Sequence, residues 1–357
     1  MTLLVPVVST ASHAQASRGP WRQYARPEDA GFSSPLLDRA RHHADSVRSG
    51  AVMIVHRGIV LAAWGDVSRK LELHSVRKSL VSALFGMAAD AGRLDIDRTL
   101  GDAGVDDRTP LTATEQGARI RDLLAARSGV YLPSAYAGRE QDEERPARGR
   151  HAPGTFFFYN NWDFNVAGVI YERLVEPDLY AAFSQRIAEP LGMEDFAPTD
   201  GFKVYEPSGS VHPAHTFRMS TRDLARFGQL YLQRGTWAGH SLLSPRWIDE
   251  STRPHSDLGG GTGYGYLWWT YAKGSMGTRY PRLDVHDTYA ARGTGGQFVL
   301  VVPGEEIVVV HRGDTDNGRE VRGPDVWRIA ELVLAARTGA AAAAPRTAPL
   351  QPVALAS

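Results

Sequence analysis

The sequence of 357 residues contains no cysteine. This absence excludes disulfides, thiolate metal sites and a cysteine nucleophile, but it leaves the redox compartment open, because a chain without cysteine can exist in either. The 40 basic residues balance the 40 acidic ones. No overall positive field would therefore attract nucleic acid or anionic lipid, and we expect neither as a partner.

Long apolar runs are also absent. No stretch approaches the ~20 uninterrupted apolar residues that a membrane helix needs, so we predict no membrane span. The first residues combine a short apolar run, 3–8, with Ala-Gln-Ala at 14–16, which resembles a signal-peptidase site, although a basic n-region is missing. We predict that 1–20 is the remnant of an export leader or a disordered tail. Export to the periplasm or the medium is the expected location, with the cytoplasm as the alternative.

The motifs of several enzyme classes are missing. The G-x-S-x-G elbow of an α/β-hydrolase does not occur, the 12 histidines form no H-E-x-x-H, and no Walker A sequence is present. We therefore expect neither a metal nor a cofactor. With 43% apolar residues, the chain is long enough to bury a large core.

Similar strand pairs stand near both ends of the chain. AVMIVH (51–56) and IVLAAWG (59–65) predict one hairpin, and QFVLVVP followed by IVVVHRG predicts another. Helices are predicted from Ser34 and from near Pro324. Because lone hairpins are rarely stable, both ends should share one antiparallel sheet flanked by the terminal helices, which is an α+β fold.

This pattern divides the chain. We predict a sheet lobe from 21–75 plus about 256–337 and a mostly helical lobe from about 76–255. The Ala/Pro-rich residues 338–357 are predicted to be disordered.

Ser75 and Lys78 are the first candidates for catalysis. They lie three residues apart on a predicted helix that ends near Gly92, so their side chains share one face. Serine is also a common helix N-cap, and S-x-x-K arises by chance in many proteins. Lysine is scarce here, however, since only 4 of the 40 basic residues are lysines. Unlike arginine, a buried lysine can lose its proton and help to deprotonate Ser75.

A second segment, PGTFFFYNNWDFNVAGVIYE, places Tyr159 before an amphipathic helix. Tyr159 could accept a proton as phenolate if a nearby charged lysine lowered its pKa, and the Asn161 amide could orient the lysine and a substrate carbonyl. Trp162, like Trp268 and Trp269, could line a substrate cleft, although aromatic residues more often belong to the core.

Glycines stand at the start of a strand in YAARGTGGQFVLVV. Gly293 and Thr294 could let a substrate approach the backbone there, and an N–H of this segment could form an oxyanion hole with that of Ser75. A plain turn or bulge is the alternative interpretation.

In this order, the three segments resemble those of the penicillin-recognising serine hydrolase superfamily. That superfamily includes class C β-lactamases, D-alanyl-D-alanine carboxypeptidases, family VIII carboxylesterases and 6-aminohexanoate-dimer hydrolases. The resemblance covers roughly 25–337 and also rests on RMSTRDLARFGQLYL and GYGYLWW. It implies a β-lactamase/D,D-peptidase-like fold with Ser75 as nucleophile, Lys78 and Tyr159 in proton transfer, and Asn161 in positioning.

The third segment departs from the superfamily pattern. Where its β-lactamases and peptidases usually have Lys or His, any residue and Gly, this chain has Ala291-Arg292-Gly293. Neighbouring strand residues face opposite ways, so Arg292 should not replace the missing cation. We predict hydrolysis of a carboxylic ester or small linear amide through a Ser75 acyl-enzyme. The alternatives are β-lactamase or D,D-peptidase activity, or an acylated sensor that does not turn over.

Overall fold

A ten-stranded sheet lies at the centre of the computed structural model, which describes residues 19–355 apart from the Glu140 side chain. The leader-like residues 1–16 lie outside this range. The strand order is β15-β1-β3-β2-β14-β13-β12-β11-β10-β9, with β4-β6-β5 as a small second sheet and β7-β8 as a hairpin. The strands are β1 (Arg22–Tyr24), β2 (Ala51–His56), β3 (Ile59–Gly65), β4 (Leu71–Glu72), β5 (Gly201–Val204), β6 (Ala214–Met219), β7 (Thr236–Trp237), β8 (His240–Ser241), β9 (Ser256–Asp257), β10 (Thr262–Tyr264), β11 (Trp269–Tyr271), β12 (Thr288–Gly293), β13 (Gln297–Val302), β14 (Ile307–Arg312) and β15 (Thr347–Pro349).

Helices cover the sheet, and most of them lie in the part of the chain between the N-terminal strands β1–β3 and the C-terminal strands β9–β15. They are α1 (Ser34–Ser46), α2 (Arg77–Asp90), α3 (Ala113–Gln116), α4 (Ile120–Leu124), α5 (Arg139–Glu143), α6 (Asn161–Leu174), α7 (Leu179–Phe183), α8 (Glu189–Leu191), α9 (Thr221–Leu232), α10 (Pro245–Thr252) and α11 (Gly323–Ala335). This combination of one large sheet with helices confirms the α+β prediction. The sheet is antiparallel as predicted except where β1 runs parallel to β3.

Both faces of the sheet are buried, because alternate side chains of each strand enter different cores. On β2, for example, Val52 and Ile54 belong to the core beneath α1 and α11, whereas Met53 and Val55 belong to the core on the other face. The helix α9 packs on that other face against β2, β13 and β14. Although α9 falls in the segment predicted as the helical lobe, its amphipathic face is used to cover the sheet.

The C-terminal segment, predicted to be disordered over 338–357, forms regular structure in part. Residues 347–349 form β15, which pairs antiparallel with β1. Beyond it, the Val353 N–H donates to the Ala63 carbonyl at 2.9 Å, and the Gly65 N–H donates to the Val353 carbonyl at 2.8 Å. An Ala/Pro-rich chain has little to bury, but joining an open sheet edge requires mainly backbone hydrogen bonds.

Within residues 19–355, no helix has both the length and the apolar character needed to cross a membrane. The same part of the chain contains no group of His, Asp and Glu side chains arranged to hold a metal ion.

We predict that Gly228→Ala destabilises the protein, because α9 approaches the sheet closely at this glycine. An added Cβ would lie 2.6 Å from Val308 Cγ1 and 2.8 Å from Val299 Cγ1, both on buried strands. Alanine favours an isolated helix by ~1 kcal/mol, whereas overpacking costs about 1–3 kcal/mol. Denaturant unfolding should therefore show a net loss of free energy of unfolding.

The control is Gly138→Ala, where an added Cβ meets nothing within 4 Å. We expect this change to stay within about 0.5 kcal/mol of the wild type. A Gly228→Ala protein at least as stable as the wild type would contradict the close packing of α9 on β13 and β14.

Candidate active site

Ser75 lies in the short 3-10 turn His74–Val76 that leads directly into α2. Val76 occupies the N-cap position of α2, with no side-chain capping hydrogen bond. Ser75 is therefore not a capping serine, which removes the structural alternative for this residue. Its hydroxyl is half-buried at the edge of a cleft and points to a lysine instead.

The Lys78 amine lies between two hydroxyl groups. Its Nζ is 2.6 Å from Ser75 Oγ and 2.8 Å from the phenol oxygen of Tyr159. The Lys78 residue is only 3% exposed, and its Nζ also lies 4.5 Å and 4.6 Å from the ring centroids of Tyr159 and Phe164. The structure thus brings together the three residues that the sequence predicts for nucleophile activation.

Burial holds the pKa of the Lys78 amine well below its usual value, and the neighbouring Arg77 guanidinium lowers it further. Both effects disfavour the ammonium form. A lysine in this state can accept the Ser75 proton, which a fully charged ammonium cannot do.

Tyr159 differs from its sequence prediction in charge state. Burial raises the pKa of its phenol, although a hydrogen bond with Ser75 and the charges of Arg77 and Arg292 act in the opposite direction. The ring stacks on Trp269 with centroids 5.4 Å apart, and Tyr264 lies edge-on at 5.9 Å. The predicted phenolate is thus disfavoured, because the surroundings are apolar and Lys78 does not supply a stable positive charge. A neutral phenol can donate or relay a proton.

Gly293 brings the sheet close to the nucleophile. It is the last residue of β12 and pairs with Gln297 across a turn in which Gly295 and Gly296 have φ values of 73° and 84°. A Cβ at Gly293 would lie 2.6 Å from the Leu73 carbonyl oxygen and 3.0 Å from the Ser75 nitrogen. The turn interpretation is therefore right for two of the glycines, whereas Gly293 permits the close approach of strand and helix.

A cleft of about 480 Å³ opens beside Ser75. Thr294, a predicted positioning residue, lies on its rim and is exposed. The lining residues are Ser75, Tyr159, Trp269, Arg292, Gly293, Thr294, Gly295, Gly296, Phe298, Glu320, Val321, Arg322 and Gly323. Of the three tryptophans considered from the sequence, Trp269 contributes to this surface.

Trp162 does not contact the cleft, which corrects its predicted role in substrate positioning. It is fully buried, and its indole N–H donates to Asp107 Oδ2 at 2.7 Å. Its ring meets His212 edge-on at 5.9 Å. The first turn of α6 directs this side chain into the core, where the indole nitrogen has a carboxylate partner.

Asn161 is close to the site, but its amide is used differently from the prediction. Its Nδ2 donates to the Tyr136 carbonyl at 2.6 Å, whereas its buried Oδ1 has no partner among the described residues. No hydrogen bond joins it to Lys78 there. An amide oxygen only accepts hydrogen bonds, so Oδ1 cannot bind a substrate carbonyl, and Asn161 is not among the residues that line the cleft beside Ser75.

At position 291, where the superfamily resemblance implies a lysine or histidine, this chain has no cation. Ala291 is buried with 1% exposure. The Arg292 guanidinium donates to the Tyr271 hydroxyl at 2.8 Å and lies 5.1 Å and 5.2 Å from the rings of Trp269 and Phe298. These contacts hold the guanidinium against aromatic side chains, and Arg292 lines the cleft beside Ser75.

Sequence reasoning did not identify two residues beside the nucleophile. Arg77 is buried on the first turn of α2, and Tyr136 lies in the loop before α5. The Tyr136 hydroxyl donates to Glu72 and lies 2.9 Å from His74 Nδ1. A charged residue inside an otherwise apolar helix face was the available signal for Arg77, whereas no local pattern marks Tyr136.

Comparison with known proteins gives one family match and many structural matches. Residues 37–333 match the family model described as Beta-lactamase. A protein of Bacillus anthracis described as a 6-aminohexanoate-dimer hydrolase aligns at 19% identity and TM-score 0.62, over 89% of this chain and 86% of that chain.

Two further solved structures have similar folds. An octameric penicillin-binding protein homologue of Pyrococcus abyssi aligns at 18% identity and TM-score 0.61, over 85% of this chain and 78% of its own. A beta-lactamase/D-alanine carboxypeptidase of Pseudomonas syringae aligns at 16% identity and TM-score 0.60, over 84% and 98%. At identities this low, the similarity shows a shared fold, and the substrates of these proteins are not carried over to this chain.

We predict that Gly293→Ala strongly reduces the reactivity of Ser75. The added methyl group would collide with the Leu73 carbonyl and the Ser75 nitrogen, so the strand must move away from the nucleophile. Misplacement by about 1 Å can cost ~10²-fold in rate. The rate of Ser75 labelling by a fluorophosphonate probe, followed by intact mass, measures this effect. Labelling at the wild-type rate in a correctly folded variant would show that the close approach is dispensable.

Proposed function

Because this chain belongs to the beta-lactamase family of serine hydrolases, we propose that it hydrolyses a carboxylic ester or small linear amide through an acyl-enzyme on Ser75. The observation that carries this proposal is the placement of Lys78 Nζ within hydrogen-bond distance of both Ser75 Oγ and the Tyr159 hydroxyl. The family match also confirms the resemblance drawn from the sequence motifs.

In the acylation step, Ser75 Oγ attacks the substrate carbonyl carbon while Lys78 takes the hydroxyl proton. The depressed pKa of the Lys78 amine favours this role as base. When the tetrahedral intermediate collapses, the bond to the leaving oxygen or nitrogen breaks. The Tyr159 phenol, 2.8 Å from Lys78 Nζ, relays the proton to that leaving atom, which departs as an alcohol or amine.

The negative oxygen that forms during this step needs hydrogen-bond donors. We assign the Ser75 backbone N–H as one donor, with the adjoining backbone at Gly293 and Thr294 as the source of the second. The close approach of Gly293 to the Ser75 nitrogen supports this assignment. Water then attacks the acyl carbon and gives a proton to the same lysine and tyrosine pair. The bond between the acyl carbon and Ser75 Oγ breaks, the proton passes to Oγ, and the acid is released from free Ser75.

The preference for an ester or linear amide over a β-lactam rests on the 291–293 segment. A β-lactam or a peptide C-terminus carries a carboxylate on the carbon attached to the scissile nitrogen, whereas a linear aminohexanoate dimer carries it five methylene groups away. Ala291 supplies no cation for the nearer carboxylate, and Arg292, although it lines the cleft, is held by Tyr271, Trp269 and Phe298. The Bacillus anthracis protein, which is described as a 6-aminohexanoate-dimer hydrolase, supports the same proposal by its name. We propose this substrate class for the cleft beside Ser75.

The first test is hydrolysis of p-nitrophenyl acetate and butyrate by the wild type and by Ser75→Ala. Loss of the nucleophile should lower kcat/KM by at least ~10³-fold, since the remaining site offers only binding and oxyanion stabilisation. Intact mass should show an acyl adduct on the wild type and none on the variant. Equal rates in the two proteins would remove Ser75 from the reaction.

Substrate class is decided by a panel that adds nitrocefin, a D-Ala-D-Ala peptide and a linear aminohexanoate dimer. We expect turnover of the esters or the linear amide to exceed turnover of nitrocefin and the peptide. The reverse order would overturn the argument from Ala291 and Arg292. A stable Ser75 adduct without turnover would instead identify an acylated sensor.

We predict that Tyr159→Phe lowers kcat by about 10²-fold or more, on the usual scale of general acid–base catalysis. The variant keeps the ring that stacks on Trp269, so only the hydroxyl is removed. The measurement is the pH profile of kcat for p-nitrophenyl butyrate. A profile and rate like those of the wild type would exclude Tyr159 from proton transfer.

A further inference from the structure

Arg77 immediately precedes Lys78 on α2 and is 1% exposed. Its Nη1 donates to the His215 carbonyl at 3.1 Å, and its Nη2 donates to Asn165 Oδ1 at 3.2 Å. The guanidinium carbon lies 5.7 Å from the centre of the Tyr136 ring. Among the described residues, no carboxylate forms an ion pair with this guanidinium, and its Nε has no partner. Arg77 is thus a buried cation held by neutral acceptors.

The titratable groups around this turn are shifted toward their uncharged forms. Burial raises the pKa of the acid and phenol groups and lowers the pKa of the two imidazoles, on the elements that contact α2 and on the neighbouring loops. The groups raised are Asp163, Tyr136, Tyr159, Tyr171, Tyr180 and Tyr264, and the groups lowered are His74 and His215.

The remaining charged groups of the surrounding elements have partners of their own. These pairings are Glu72 with Tyr136, Glu172 with Lys203, Arg218 with Asp316, Arg292 with Tyr271, Arg246 with Asp90, Asp249 with Arg234 and Glu250 with Arg253. Of these groups, Glu72 also acts on Arg77 through space, but no carboxylate among the described residues forms an ion pair with Arg77, which is the charge nearest along the chain to Lys78.

We propose that Arg77 is a positioning residue whose buried positive charge keeps the adjacent Lys78 amine unprotonated, so that Lys78 is ready to accept the Ser75 proton. This inference rests on the proposed function of Ser75 and Lys78. It assigns to Arg77 a part in the reaction without any contact with substrate.

Three features of the turn act in the same direction. A second positive charge disfavours protonation of a nearby amine, and burial increases the strength of that repulsion. The N-terminal end of α2 carries a partial positive charge that adds to it. Although burial lowers the pKa of Arg77 too, a guanidinium keeps its proton where an amine loses it. Of the two side chains, Arg77 therefore stays protonated and charged, whereas Lys78 is neutral and keeps a free electron pair on Nζ.

A purely structural role is the competing explanation, because Arg77 ties α2 to β6 through His215 and to α6 through Asn165. Loss of these bonds would slow the reaction equally at all pH values. Loss of the charge would instead raise the pKa of Lys78 and move the acid limb of the activity profile to higher pH.

The test measures the rate constant for fluorophosphonate labelling of Ser75 as a function of pH. In this reaction the Ser75 Oγ–P bond forms, fluoride leaves and the hydroxyl proton passes to Lys78, so no deacylation step enters. For Arg77→Met we expect the acid limb to move up by about one pH unit, which is about a tenfold loss of rate below the limb. An unchanged limb in a folded Arg77→Met protein would overturn the proposal.

A matched pair at Asn165 keeps the test independent of whether Arg77→Met folds. Asn165→Asp places a negative charge against Arg77 Nη2, which should partly cancel its field and move the limb in the same direction. Asn165→Leu removes the same hydrogen bond without adding charge, and its limb should stay at the wild-type position. Identical limbs in the two Asn165 variants would contradict an electrostatic role for Arg77.

The wild type separates failure of this inference from failure of the proposed function. If wild-type Ser75 is not labelled at any pH, the proposed nucleophile is wrong and the role of Arg77 is withdrawn with it. If Ser75 is labelled and the acid limb is insensitive to the charge at residues 77 and 165, only the inference about Arg77 is wrong.

Discussion

The dry surroundings of the Lys78 amine are the constraint on which the site depends. An amine in water is almost fully protonated at neutral pH, so it becomes a base only where the fold withholds solvent from it. Here Phe164 and the ring of Tyr159 cover the nitrogen, and the hydroxyls of Ser75 and Tyr159 occupy its hydrogen-bonding positions. The helix α2 and the aromatic residues around it thus have a chemical as well as a structural purpose.

The large sheet makes this environment possible by fixing the position of one strand end. β12 lies between neighbours on both sides, so its last residue, Gly293, is held against the turn that carries Ser75. Its neighbours are β11 and β13, β14 joins β13 to the N-terminal hairpin of β2 and β3, and α9 closes one face of the sheet. The distance between nucleophile and strand is therefore set by contacts that are remote in sequence.

Features of the fold and the site that leave a local pattern in the sequence could be predicted, whereas features that depend on contacts across the fold could not. Ser75 and Lys78 were predictable because i, i+3 spacing on a helix fixes a shared face, and the strand pairs were visible from their apolar patterns. Trp162 was assigned wrongly, because sequence does not tell which side of α6 faces the core. Arg77 and Tyr136 were missed, since their importance comes from contacts across the fold, and the C-terminal strand was missed because backbone pairing leaves no mark in composition.

Both outer strands of the ten-stranded sheet are short. β15 has three residues and includes Pro349, and β9 has the two residues Ser256 and Asp257. A proline offers no N–H to a further strand, and a charged residue at an edge repels apolar partners. By pairing with β1, β15 replaces an open strand edge with a short one that ends in proline. Both edges of the sheet therefore disfavour pairing with a strand of another molecule.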